Sequence, residues 1–319
     1  MIYNKLYNSD FLDNDLKEGV ADLIIADPPY FKTKGKFDFV WNSFESYLVD
    51  VEKWANECFR ILSDAGTLLW YGSSNKIAYT QIILDKKFHL LNNLVWDKGD
   101  FMNLKNSPLL RKFAPCTERI LMYSKMSTLE HLLKNFSEKN PFSIIIKRQR
   151  EIRKLSINEV AEQGKFYKNV NHGGLVTNWE KGYNIPNSKQ WKILQSILCI
   201  DEDYSKVLSD YESLKKSIKT RVFNNHLSLN EILHFKNEHV KSRNIDHETI
   251  KPEMLTRALI TTLTNKDDLI VVPFAGSGTE CKCAILEGRK FIGYEIDKKY
   301  FDIANGRINN EKINLKLDF

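Results

Sequence analysis

Short apolar runs alternate with amphipathic helical patterns at both ends of this chain, and the alternation stops in the middle. Met1–Ser9, with Ile2, Leu6 and Tyr7, reads as a short strand. Ala21–Ala26 is an apolar run of the kind expected for a strand buried on both faces of a parallel sheet. Phe44–Leu62 follows with apolar residues at helical spacing, then Gly66 and a strand at Thr67–Tyr71. A helix is expected at Ile77–Leu84, capped by Ser74 or Asn75, and strands at Leu90–Trp96 and Arg119–Tyr123. From Ser127 to Ile245 the pattern is polar and helical, without a strong buried strand. It then returns as helix Glu253–Leu263 (cap Thr249, first turn Pro252), strand Leu269–Val272, helix Thr279–Leu286 closed by Gly288, strand Phe291–Tyr294 and helix Lys298–Ile308. Strands alternating with helices predict a doubly wound, mostly parallel α/β sheet. The expected organisation is one α/β domain, residues 1–126 and 245–319, with an inserted, mainly helical region at 127–244.

With 319 residues, 42% of them hydrophobic, the chain can bury a substantial core. No apolar stretch is long enough to cross a bilayer, and the N-terminus lacks the layout of a signal peptide. Cys58, Cys116, Cys199, Cys281 and Cys283 form no Cys-x-x-Cys pair, and their odd number argues against a disulfide framework. A reducing cytoplasm is expected. The net charge of +6 is compatible with a polyanionic partner.

Two segments carry chemistry. Asp27-Pro28-Pro29-Tyr30 follows the first buried strand, so it stands at the carboxyl edge of the sheet, where open α/β sheets bind ligands. The two prolines remove two N–H donors and stiffen the turn. An exocyclic amine has two hydrogens, and the Asp27 carboxylate and Pro28 carbonyl together can accept both. That would aim the nitrogen lone pair at an incoming electrophile, while Tyr30 offers a π face for a flipped base. The plain alternative is a proline-terminated strand bearing a surface aspartate. The second segment, Phe274-Ala275-Gly276-Ser277-Gly278-Thr279, links a strand to a helix. Its glycines let the backbone approach a ligand, and the helix start offers free N–H groups. No Gly-Lys-Ser/Thr follows, which excludes a Walker loop, and a third glycine at dinucleotide-binding spacing is missing. Glu295, ending the next strand, can accept hydrogen bonds from ribose hydroxyls. A nucleoside-type cofactor is expected.

Taken together, the ends of the chain resemble the beta-group amino-methyltransferases of DNA found in restriction–modification systems and phages. In that group the amine-binding motif comes first, a recognition region follows, and the cofactor loop comes last. His247-Glu248-Thr249-Ile250-Lys251-Pro252 is similar to the family's His-x-Thr-x-Lys-Pro segment. Ser9-Asp10 is similar to its adenine-contacting acidic position, and Phe291–Asp297 with Tyr300 and Arg307 to its closing helix. The resemblance covers roughly residues 1–125 and 245–310. It implies a Rossmann-like methyltransferase fold and S-adenosyl-L-methionine as cofactor, held by Asp10, Lys251, Phe274, Gly276, Ser277, Gly278, Thr279 and Glu295. Asp27, Pro28, Pro29 and Tyr30 are implied as catalytic, and no metal is required. One position departs from the pattern: the family's Asp-Pro-Phe is Val272-Pro273-Phe274 here. The absent carboxylate normally lies near the methionine end of the cofactor.

Within the insert, 142–200 resembles the phage-repressor helix-turn-helix. Leu155-Ser156-Ile157-Asn158-Glu159-Val160-Ala161 precedes Trp179-Glu180-Lys181-Gly182 and Pro186, across a longer linker than usual. Lys147, Arg148 and Arg150 are candidate phosphate contacts, and Asn171, Thr177 and Asn178 candidate base readers. A helical insertion with a solvated charged face is the alternative. His172 reads as a loop residue and Trp179 as core, and the basic loop Gly99–Pro115 could clamp DNA. The leading expectation is transfer of a methyl group to N6 of a flipped adenine in double-stranded DNA, in a bacterial or phage-encoded cytoplasmic enzyme. Cytosine-N4 transfer, or an inactive sequence-specific DNA-binding protein, are the competing readings. The resemblance is compatible with a cognate restriction endonuclease as partner and with a homodimer.

Overall fold

Both ends of the chain contribute strands to one eight-stranded sheet. The computed structural model describes residues 2–32, 36–99, 115–125, 136–166, 174–217, 222–236 and 250–317. In chain order the elements are β1 (Lys5–Tyr7), β2 (Ala21–Ala26), α1 (Phe44–Ile61), β3 (Leu62–Ser73), α2 (Ile77–Leu84), β4 (Phe88–Asp97) and β5 (Thr117–Lys125). Five helices follow: α3 (Pro141–Ile152), α4 (Ile157–Gln163), α5 (Gly174–Glu180), α6 (Ser188–Leu198) and α7 (Tyr204–Ser217). The last are β6 (Ile232–His234), α8 (Glu253–Leu263), β7 (Leu269–Val272), α9 (Thr279–Leu286), β8 (Lys290–Tyr294) and α10 (Lys298–Leu317).

The strand order is β1-β8-β7-β2-β3-β5-β4-β6. All pairings are parallel except those of β5, which runs antiparallel to both β3 and β4. The reason is the connection. A parallel neighbour needs a crossover that returns the chain to the same edge, whereas β4 and β5 are joined end to end at one edge. Side chains of each central strand alternate between two cores. Ile24, Leu68, Trp70 and Val271 pack with α1 and α2 on one face. Leu23, Ile25, Leu69, Tyr71 and Ile270 pack with α8, α9 and α10 on the other. Both faces are covered, which explains why these strands read as continuous apolar runs.

Several local expectations change. Neither Ser74 nor Asn75 caps α2: the cap position is Lys76, with no side-chain bond. Pro252 occupies the cap position of α8, and Thr249 lies outside the described residues. β6 was not expected; it is three residues long, with only Leu233 buried, too short for a periodic signal. By pairing with β4 it draws the chain back into the α/β unit before residue 245. The two compact units are accordingly 1–126 with 221–319, and 127–220, so the insert ends about two dozen residues earlier than 244.

The 127–220 unit has its own core of Phe142, Ile146, Val160, Val176, Trp179, Trp191, Leu194 and Leu198. Trp179 is core, as expected. Ser156 and Glu159 form a capping box on α4, and Asn187 with Gln190 another on α6. The stretch between α4 and α5 spans 164–173, longer than a helix-turn-helix turn, and 167–173 lies outside the described residues.

Candidate active site

The sheet brings the two chemical motifs together although they stand at opposite ends of the sequence. β2 and β7 are hydrogen-bonded neighbours, Leu23 opposite Ile270 and Ile24 opposite Val271. Asp27–Tyr30 and the glycine loop therefore leave adjacent strands at the same carboxyl edge, the crevice where such sheets hold ligands.

The turn after β2 is held rigidly. The Tyr30 amide donates to Asp38 Oδ1 at 2.6 Å, and the Lys32 amide to the Asp38 carbonyl at 2.6 Å. Lys76 donates to the Phe31 carbonyl. Phe31 and Lys32 have φ of 57° and 50°, the left-handed region that non-glycine residues rarely occupy. The Phe31 ring, packed against Phe44 and Tyr47 at 5.3 and 5.7 Å between centroids, anchors that backbone. Such a conformation persists because its surroundings over-determine it, a common arrangement at functional sites.

A charged cluster surrounds Asp27. Tyr30 donates its hydroxyl to Asp27 Oδ1 at 2.6 Å, and Lys251 Nζ lies 2.7 Å from Asp27 Oδ2. The same ammonium lies 3.4 Å from Glu118 Oε2, and Lys98 pairs with Glu118 from the far side. Lys251 also sits over the rings of Tyr71, Tyr30 and Trp96, at 5.0, 5.5 and 6.0 Å from their centroids. Burial disfavours the Lys251 charge, but Asp27 and Glu118 outweigh it and raise its pKa. Burial likewise opposes ionisation of Glu118, yet Lys251 and Lys98 hold its carboxyl below the usual range. Tyr30 is pushed well above the ordinary phenol value, first by burial and then by Asp27. It stays a hydrogen-bond donor at physiological pH.

Lys251, expected beside the cofactor, thus has its ammonium on the Asp27 carboxylate. Glu118 was not singled out in the sequence, and Lys98 only as one of the basic residues of a loop that could clamp DNA; here it pairs with Glu118. Glu118 opens a strand that runs antiparallel to its neighbours, so its start, not its end, reaches the active edge. Only the sheet order reveals this.

The glycine loop is shaped around the start of α9. Gly276 and Gly278 have φ of 49° and 76°. A Cβ on Gly278 would meet the Ala304 Cβ at 2.8 Å, so α10 packs too closely for any side chain there. The Ser277 and Thr279 hydroxyls lie 3.1 Å apart, and Arg307 donates to the Ser277 carbonyl. Phe274 packs edge-on against Trp54 at 5.0 Å. Glu295 is buried at the end of β8; Oε2 accepts from the Gly276 amide at 2.7 Å and Oε1 from the Asp297 amide at 2.9 Å. Its pKa is raised by burial, with those amides opposing. Each oxygen keeps a lone pair for a ligand hydroxyl. Asp10 follows β1, the strand beside β8, and its Oδ1 caps a 3-10 turn by accepting from the Leu12 amide. Carboxylates at two adjoining strand ends, next to a glycine loop that opens a helix, fit a nucleoside cofactor. Glu295→Ala should weaken cofactor binding roughly ten- to a hundredfold through loss of a charged acceptor. Because Glu295 also braces Gly276, the change should lower the thermal midpoint. Calorimetry and thermal unfolding of the same sample check both effects.

The insert's candidates are placed differently from one another. Lys147 and Arg148 are exposed on α3, and Thr177 and Asn178 are half-buried on α5. Arg150 is not a free cation. It makes a two-pronged pair with Glu180, Nε to Oε1 at 2.5 Å and Nη2 to Oε2 at 3.0 Å, and donates to the Leu155 carbonyl at 2.9 Å. It ties α3 to α5 as a structural strut. Asn171, His172 and most of the 99–115 loop lie outside the described residues.

Residues 21–306 match the family described as DNA methylase, of the N6/N4 type. The chain is 24% identical over 313 residues to the orphan methyltransferase M.BamHII of Bacillus amyloliquefaciens, covering 92% of each chain. It is 24% identical over 315 residues to the type II methyltransferase M1.MboII of Moraxella bovis, covering 96% of this chain and 95% of that one. Among solved structures it is similar to the M1.HpyAVI–SAM complex, with a TM-score of 0.54 and 18% identity over 96% of this chain and 98% of the other. The cytosine-N4-specific PvuII DNA methyltransferase gives a TM-score of 0.54 and 16% identity over 95% and 85%. Those two likenesses speak to the fold. The family match spans both the edge that holds Asp27 and Lys251 and the loop braced by Glu295: the chain belongs to the S-adenosylmethionine-dependent N6/N4 DNA methylases.

Proposed function

We propose that the chain methylates N6 of adenine at a particular sequence in double-stranded DNA. The observation that carries the choice of adenine is the carboxylate at position 27, paired with Lys251 and fixed by Tyr30. The bound cofactor supplies an electrophilic methyl group on a positively charged sulfur. The protein's part is to present the amine. Asp27 and the Pro28 carbonyl accept its two hydrogens, and the negative charge of Asp27 stabilises positive charge growing on nitrogen. Each Asp27 oxygen has a lone pair beyond those used by Tyr30 and Lys251. The Tyr30 ring offers the stacking face, locked in place by its own hydroxyl.

The insert is the reading's candidate for target selection, with Lys147 and Arg148 as phosphate contacts and Thr177, Asn178 and Asn171 as base readers. The type II names among the relatives support a restriction–modification setting, and the reading adds a cognate endonuclease in the same cytoplasm. Sequencing that distinguishes modified bases, on DNA from cells expressing the chain, tests all of this at once. N6-methyladenine at one motif is the expected result. N4-methylcytosine would replace adenine by cytosine as the target. Unmodified DNA, with cofactor binding intact, would favour an inactive DNA-binding protein.

A further inference from the structure

One acid beside the cofactor loop has no side-chain partner among the described residues. Glu280 is the second residue of α9, directly after Thr279, and is 5% exposed. Among the described residues its carboxylate makes no ion pair and no hydrogen bond to another residue's side chain. The other acids around it are matched. Glu253 pairs with Lys282 and Arg307, Glu311 with Lys282, and Glu287 with Arg257. The cations that could serve Glu280 are engaged elsewhere: Lys251 on Asp27 and Glu118, Arg307 on Glu253 and the Ser277 carbonyl. The groups bearing on it are Asp27 after β2, Lys251 before α8, Arg307 on α10, Tyr71 on β3 and Cys281 and Cys283 on its own helix. Burial raises its pKa to about 7 and the charge of Asp27 pushes the same way, against its own amide and the more distant charges of Lys251 and Arg307.

A buried carboxylate without an ion-pair partner is costly, so its retention points to a cation from outside the chain. The cofactor carries two positive centres, a sulfonium and an α-ammonium, and only the ammonium has N–H donors for a carboxylate. At the same edge, Val272 is fully buried and apolar where the family pattern has an aspartate. We propose that Glu280 is the counter-charge for the α-ammonium of the cofactor's methionine portion, supplying from the start of α9 the carboxylate that Val272 lacks at the end of β7. The inference rests on S-adenosylmethionine being the cofactor.

Calorimetric titration of wild type and Glu280→Gln tests it, using S-adenosylmethionine, S-adenosylhomocysteine and an S-adenosyl analogue without the α-amine. The variant is expected to bind the first two roughly ten- to a hundredfold more weakly and the deaminated analogue as wild type does. Wild-type affinity should also fall between about pH 8 and pH 6, as Glu280 takes up a proton that the ammonium must expel, and the variant should lose this dependence. Adding Val272→Asp to the variant should restore affinity for the two amine-bearing ligands alone. If Glu280→Gln does not fold, Glu280→Asp is titrated in its place, with the same selectivity between ligands expected. Equal loss for all three ligands, or no loss, overturns the assignment. If wild type binds neither S-adenosylmethionine nor S-adenosylhomocysteine, the cofactor assignment fails, and this inference with it.

Discussion

Asp27→Ala is expected to lower methyl transfer by at least about 10²–10³-fold, the usual cost of removing a group aimed at charge that develops in the transition state. The sequence alone suggests that the change leaves the protein otherwise intact. The structure says more. Asp27 carries the closer of the two contacts on the buried Lys251, at 2.7 Å against 3.4 Å for Glu118. The alanine variant should therefore be less stable as well as inactive. Asp27→Asn keeps the shape, the acceptor oxygen for Tyr30 and most of the packing. It should fold well and still transfer methyl groups poorly, since the amide brings no negative charge to the nitrogen. Radiolabelled methyl transfer alongside thermal unfolding separates the two effects. Wild-type activity in Asp27→Asn would sink the charge-stabilising role, leaving Asp27 as a positioning group.

Lys251→Met should cost about 3–5 kcal/mol of stability at neutral pH, the range for removing one member of a buried ion pair. The slope of stability against pH should also change. In the wild type, the folded pKa of Lys251 lies above its ordinary value of 10.5. Its contribution is complete below that value and lost only as pH climbs through the folded pKa. Glu118 is depressed below its ordinary 4.5, so it stabilises above that value and the gain disappears as pH falls through the folded pKa. Wild type should thus hold its stability from neutral to moderately alkaline pH and lose it on acidification below about pH 4.5. In Lys251→Met, Asp27 and Glu118 face each other across an apolar side chain, with Lys98 the remaining cation on Glu118. Burial and mutual repulsion then raise a carboxyl pKa. As pH falls from about 7 to about 5 the variant should gain more stability than wild type does, beyond the gain that the raised Glu280 carboxyl gives both. Urea unfolding across that range measures the slope. A variant that follows the wild-type profile would mean that Lys251 does not balance these carboxylates.

Much of the α/β frame was legible in the sequence because burial on both faces leaves no polar alternation in its strands. Ala21–Ala26, Leu269–Val272 and the helices Ile77–Leu84, Glu253–Leu263 and Thr279–Leu286 stand where their patterns put them. What failed was short or dependent on partners. β6 is a strand because β4 offers it an edge, not because Ile232–His234 insists on one. Arg150 looked like a phosphate contact in a basic run, but the packing of α3 on α5 set it against Glu180.

The sequence by itself determined which chemistry is present: a carboxylate and a tyrosine flanking two prolines, and a glycine loop with its acidic partner two elements later. Those are local facts, written in neighbouring residues and in the turns they impose. The tertiary structure decided which distant groups serve that chemistry. Pairing β2 with β7 placed the two motifs side by side. Reversing β5 brought Glu118 to the active edge, and the approach to α8 delivered Lys251 to Asp27. Ion pairs form by proximity in three dimensions and leave no periodic trace along a chain, so the charge balance around Asp27 could be read only from the fold.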